Sequence, residues 1–179
     1  MTELKPEKIK YLIIHHTATS RDKTTFEAVK KYHIEKGWED IGYHWFINGK
    51  GELQKGRDEK WVGAHASALK DGLSMNYQSL GVCLAGNFEI EEPSKEQIST
   101  LEAVLSDKRA KFGIARINVF GHQEIPASTA CPGKNLMPFI RTYRARPERP
   151  ENRRQVLLDL AESMGQKVEE LKKEIQKLP

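Results

Sequence analysis

Three observations predict an α/β domain with a central sheet covered by helices, followed by a charged C-terminal helix of coiled-coil character. Apolar runs of strand length alternate with segments of helical periodicity, the pattern of a helix-covered sheet. The strand-like runs are nearly continuous in apolar residues, as strands buried on both faces are. Beyond residue 145 the composition turns rich in arginine and proline and then settles into a heptad pattern.

Residues 9–14, IKYLII, read as a buried strand that ends at His15-His16. Thr24 and Thr25 can cap a helix over 25–36, which carries Phe26, Val29, Tyr32 and His33 at helical spacing and stops at Gly37. Residues 42–48 read as a second strand, NGKGE as a turn, and ELQKGR as its hairpin partner. Residues 56–78, rich in small and polar residues, read as a long loop with a short helical piece. Residues 79–85, SLGVCLA, give another buried strand. Pro93-Ser94 opens a helix that runs to Phe112 and closes at Gly113. Residues 116–120 give a short strand leading into Gly121-His122; 123–134 form a loop, and 135–143 a last short helix.

The organisation that follows is a domain over 1–145 and an appendage over 146–179. Residues 141–154 hold six arginines and two prolines and read as a linker or exposed arm. Leu157, Ala161, Met164, Val168, Leu171, Ile175 and Leu178 then alternate at four- and three-residue spacing, interrupted by Gly165. That seam suits either a helix packed back on the domain or self-association through residues 157–178.

The chain has 179 residues, 38% hydrophobic and 30% charged, with a formal net charge of +4. No run approaches the ~20 apolar residues of a membrane span. The N-terminus, MTELKPEKIK, lacks the apolar core of a secretory signal, so synthesis in the cytoplasm is expected. The mild basic charge favours an anionic polymer without choosing one. No nucleic-acid reader motif accompanies the arginines, so no nucleic-acid partner is expected. Two cysteines, Cys83 and Cys131, exclude a disulfide framework. Cys83, inside GVCLA, reads as a small buried residue.

His15 and His122 each follow a strand, and Cys131 lies nine residues beyond His122 between Pro126 and Pro132. Two imidazoles and a thiolate suit a zinc ion that keeps its fourth position for water, which predicts hydrolysis. The spacing by itself leaves other readings open: hydrogen-bonding histidines, or a cysteine hydrolase with Cys131 as nucleophile and His122 as base.

Five blocks occur in order: YLIIHHTAT, GYHWFINGKG, GRDEKWVGAHA, SLGVCLAGNF and GHQEIPASTACPG. Across roughly residues 9–141 they resemble the zinc-dependent N-acetylmuramoyl-L-alanine amidases of the type-2 family, which includes phage lysozyme-type amidases and peptidoglycan recognition proteins. The resemblance implies a mixed sheet flanked by helices, a Zn2+ ion, and cleavage of the amide between N-acetylmuramic acid and L-alanine. By motif it makes His15, His122 and Cys131 the metal ligands and places Tyr43 at the site. Thr129 stands where the phage enzymes have lysine, and it can give an oxyanion one hydrogen bond in place of a charge. His65, Asn76 and Arg57 are expected to border the substrate groove. Trp38 and Trp61 suit either sugar stacking or the core. His16 matches no ligand position, and Glu124 is a candidate to orient a ligand histidine. The loop between His122 and Cys131 is one residue longer than the common form. Peptidoglycan or a muropeptide is the implied partner, and an endolysin released to the wall through a membrane pore is the implied setting. The alternatives are a cytoplasmic muropeptide-recycling amidase and a non-catalytic peptidoglycan-binding module; the retained Cys131 speaks against the second.

Overall fold

The computed structural model describes residues 1–148 and 150–176. The chain divides into two units, Met1–Arg146 and Pro147–Pro179. In the first, five strands form one mixed sheet. They are β1 (Tyr11–His16), β2 (Trp45–Ile47), β3 (Leu53–Lys55), β6 (Ser79–Leu84) and β7 (Val119–Gly121), ordered β3-β2-β6-β1-β7. The β2–β3 hairpin is antiparallel, and the other three pairings are parallel.

Period-two alternation assigns the side chains to faces. Leu12, Ile14, Leu80, Val82, Leu84 and Val119 pack in one core with Leu101, Leu105, Ile140 and Tyr143. These last four come from α2 (Lys95–Phe112) and α3 (Met137–Ala145), which cover that face. Ile13, His15, Cys83 and Phe46 point to the other face, by the register Ile13↔Gly81, His15↔Cys83 and Phe46↔Cys83. Its cover is split. Ile13 packs with Ala66, Met75 and Ile125. Phe46 and Cys83 pack with Phe26 and Val29 of α1 (Phe26–Glu35) and with Tyr43. His15 projects between these two small clusters.

Local signals explain the element ends. The Thr25 hydroxyl accepts the Ala28 N–H at 3.1 Å and starts α1. Ser94 and Gln97 form a reciprocal capping box on α2, and Gly113, at φ 65°, ends it in the left-handed region. The Gln97 amide also donates to the Ala85 carbonyl at 2.8 Å, which pins the helix start to the end of β6.

Three stretches differ from expectation, the first being the strand read over 42–48, which is reduced to Trp45–Ile47. The loop over 56–78 contains a hairpin of β4 (Leu69–Lys70) and β5 (Leu73–Ser74), and a 3-10 turn over Met75–Tyr77. Its Asp71-Gly72 turn has φ 53° and 77°, the paired positive values that a two-residue hairpin loop needs. The strand expected over 116–120 begins with a 3-10 turn, Arg116–Asn118, and β7 occupies only Val119–Gly121. The shift carries the strand end to the residue before His122.

The second unit holds one helix, α4 (Pro150–Ile175). Seam residues Leu157 through Ile175 fall within it, and Leu178 lies outside the described residues. No helix among the described residues is long and apolar enough to cross a membrane.

Candidate metal centre

The centre is assembled at the C-terminal ends of adjacent parallel strands. Ile14 of β1 pairs with Gly121, the last residue of β7. His122, one step further, therefore stands beside His15, with ring centroids 4.5 Å apart. Gly121 permits this, because a Cβ there would lie 2.4 Å from Met137 Sδ and 2.9 Å from Pro132 Cδ. The loop then returns Cys131. Gln123 N–H donates to the Cys131 carbonyl at 2.6 Å, and His16 N–H donates to Cys131 Sγ at 3.4 Å. Cys131 Sγ comes to 3.7 Å from His15 Nδ1.

Ligand atoms of His15, His122 and Cys131 all lie within 4.8 Å of one another. A tetrahedral ion with ordinary zinc–nitrogen and zinc–sulfur bonds sets its nitrogen and sulfur ligands about 3.6 Å apart. The His15–Cys131 separation of 3.7 Å suits that geometry.

The electrostatics suit it as well. His15 is held well below the usual imidazole range by burial, and then by the neighbouring His65 and His122. Burial also lowers His122. Both rings are neutral near pH 7, as ligands must be. Burial pushes the Cys131 thiol up to about 12, against the pull of the His16 N–H. Attacking cysteines are instead lowered by a cation nearby, so the environment disfavours a free cysteine nucleophile. A divalent cation would reverse the burial penalty on the thiol.

Tyr43 packs over the centre, its ring 5.2 Å from that of His15. Burial, and then Cys83 and Cys131, hold its hydroxyl well above the usual phenol range. A hydroxyl raised in this way stays protonated near pH 7, which suits it to donate a hydrogen bond and not to serve as a base. Thr129 Oγ1 accepts the Cys131 N–H at 3.1 Å, leaving the hydroxyl proton free to donate.

Two clefts flank the centre. One, of about 400 Å³, is lined by Thr17, Lys23, Val29, His33 and Tyr43 among others. The other, of about 270 Å³, is lined by Trp38, Ala64, His65, Ser67, Asn76 and His122 among others. His33 and Trp38 stack at 4.5 Å and form a wall shared between them.

The remaining expected residues separate. Asn76 borders the smaller cleft, and its Oδ1 accepts the N–H groups of His65 and Ala66 at 2.9 and 2.7 Å. His65 borders the same cleft, yet its ring is buried, with Nδ1 3.0 Å from His15 Nε2. Arg57 is not brought to the centre. Its buried guanidinium donates to the carbonyls of Ile41, Val62 and Asp40, tying together the loops around β2. Glu124 does not orient His122: Arg144 holds its carboxylate at 2.8 and 3.0 Å, and it caps the Gly121 N–H. Trp61 lines neither cleft and forms an isolated bridge with Glu3. His16 accepts the Phe88 N–H at Nδ1 and takes no part in the donor set. Sequence reasoning missed His44, whose Nδ1 accepts the Gly81 N–H and whose Nε2 donates to the Trp61 carbonyl. Its only signal was its place in the GYH block.

Residues 5–134 match the family model described as N-acetylmuramoyl-L-alanine amidase. Peptidoglycan-recognition protein SC2 of Drosophila melanogaster is 32% identical over 143 residues, covering 75% of this chain and 74% of that protein. The endolysin of Enterobacteria phage K11 is 29% identical over 144 residues, covering 77% of this chain and 89% of that one. Among solved structures, the N-acetylmuramoyl-L-alanine amidase LysC from Clostridium intestinale URNW aligns with a TM-score of 0.65 and 26% identity. That alignment covers 82% of this chain and 95% of LysC. The chain therefore belongs to the N-acetylmuramoyl-L-alanine amidase family.

Proposed function

We propose that this chain hydrolyses the amide joining N-acetylmuramic acid to L-alanine in peptidoglycan, with a zinc ion held by His15, His122 and Cys131. The observation that carries the reading is the convergence of these three donors, remote in sequence, within 4.8 Å. It is reinforced by the family match over residues 5–134. Zinc, when bound, supplies Lewis-acid polarisation of a carbonyl and a nucleophilic water at neutral pH.

The chain's own residues supply orientation and hydrogen bonds. The protonated Tyr43 hydroxyl donates to the oxygen that gains charge as the amide carbonyl is attacked. Thr129 contributes a second, weaker donor while its oxygen holds the Cys131 N–H. The two clefts suit a substrate that branches from sugar to peptide at the scissile amide. Trp38 and Asn76 offer a ring face and an amide on one side, and Thr17 and Lys23 offer hydroxyl and ammonium groups on the other.

A non-catalytic recognition module is the second reading, because relatives of this chain bear recognition-protein names. Retention of the Cys131 thiol within the donor set favours catalysis. Purified protein incubated with intact sacculi distinguishes them. Hydrolysis releases peptides with free L-alanine amino termini and no new reducing sugar ends. Chelator stops the release and added zinc restores it. Binding without release would leave only the recognition module. We propose an endolysin setting, with release to the wall by lysis. Soluble muropeptides cleaved in strong preference to sacculi would point to recycling instead.

A further inference from the structure

His15 and His65 meet through ring nitrogens 3.0 Å apart, and both rings are buried. The opposite nitrogen of His15, Nδ1, faces Cys131 Sγ. An imidazole nitrogen ligates a metal only when it carries no proton. A neutral ring has one proton to place. If Nδ1 of His15 is the ligand, Nε2 must hold that proton and must find an acceptor. His65 Nδ1 is the atom in reach.

The fold goes to some length to keep it there. The His65 ring lies in a slot bounded by two glycines. A Cβ on Gly63 would lie 2.5 Å from His65 Cδ2, and one on Gly81 would lie 2.6 Å from His65 Cγ. The His44 ring meets it edge-on at 5.5 Å and is itself fixed at both nitrogens. Asn76 holds the His65 backbone N–H. On the far side, His65 Nε2 is buried with no hydrogen-bond partner of full geometry, while the Ser79 backbone lies close enough to favour a proton on the ring. The well-made polar contact of the ring is the one its Nδ1 makes with His15.

We propose that His65 is a positioning residue for the metal centre: its Nδ1 accepts the His15 Nε2–H and holds His15 in the tautomer that presents a bare Nδ1 to the ion. The inference rests on the zinc reading above. It gives His65 a task distinct from contacting substrate.

The test uses the full chain as wild type, His65→Leu and His65→Asn. Leucine keeps bulk without an acceptor; asparagine places an amide oxygen near the position of Nδ1. Zinc affinity is read by chelator competition. His65→Leu should bind zinc about 10- to 100-fold more weakly, and His65→Asn should recover most of the loss. Nitrogen-15 imidazole spectra of the zinc-loaded wild type should show His15 bonded to the ion through Nδ1, with His65 protonated on Nε2. Unchanged affinity in His65→Leu, or a His65 proton on Nδ1, overturns the proposal. Should His65→Leu fail to fold, the wild-type spectra and His65→Asn decide it. A wild type that takes up no zinc overturns the zinc reading itself, which separates the two failures.

Discussion

His15 Nδ1 and Cys131 Sγ lie 3.7 Å apart although 116 residues separate them in the chain. Two constraints bring them together. Parallel pairing of β1 with β7 fixes where the loop after His122 begins, and the His16 N–H donates to the sulfur at the other end of that loop. The loop therefore closes on the end of the strand that carries His15.

Tyr43 tests the chemistry apart from the metal. Tyr43→Phe removes one hydroxyl and no packing. Turnover on sacculi should fall about 100-fold, the scale for loss of one oxyanion donor. Zinc content and KM should stay as in the wild type. Unchanged turnover would remove Tyr43 from the reaction.

Acid stability of the chelator-treated protein tests the buried imidazoles. His44 is lowered from 6.5 to about 4 by burial. Below pH 6.5 the unfolded chain binds the proton that folded His44 refuses. Its contribution to stability is thus complete above 6.5 and is lost as pH falls toward 4. The gap corresponds to about 3 kcal/mol. His15 and His65 are lowered in the same direction and add to the loss. Urea unfolding at pH 7 and pH 4.5 should show the decline, and His44→Gln should make it smaller. An equal decline in the variant would assign it to other groups.

Arg57 was expected to border the groove, and its buried guanidinium is instead bonded to backbone carbonyls. Arg57→Ala leaves the carbonyls of Ile41, Val62 and Asp40 without their donor. Stability should drop by about 3 kcal/mol or more, with KM of the folded protein unchanged. A raised KM at full stability would return Arg57 to the substrate.

The seam of α4 carries the expectation of self-association. If it pairs copies, sedimentation of the full chain should give a dimer that Leu171→Glu converts to monomer. A wild type that stays monomeric at high concentration would assign the seam no pairing role.

The ends of α2 were legible because Ser94, Gln97 and Gly113 act through their own backbone neighbours. The β4–β5 hairpin had an equally local signal in Asp71-Gly72, hidden by the small polar residues around it. The donor set was readable from motif blocks and not from spacing, since strand pairing, not sequence distance, places His122 beside His15. Arg57 was drawn in by the motif blocks and Glu124 by its nearness in sequence to His122, and neither signal reports where a side chain points. Only the tertiary fold shows that carbonyls surround the one and that Arg144 holds the other. The contact of His65 with His15 depends on space left by Gly63 and Gly81, which no periodicity reports.

Zinc content and product release, measured together on the wild type and on Cys131→Ala, decide whether His15, His122 and Cys131 hold a working metal. One zinc per wild-type chain with release of stem peptide from sacculi, and neither in the variant, is the expected result. Stem-peptide release by a zinc-free Cys131→Ala protein in the presence of chelator would contradict it.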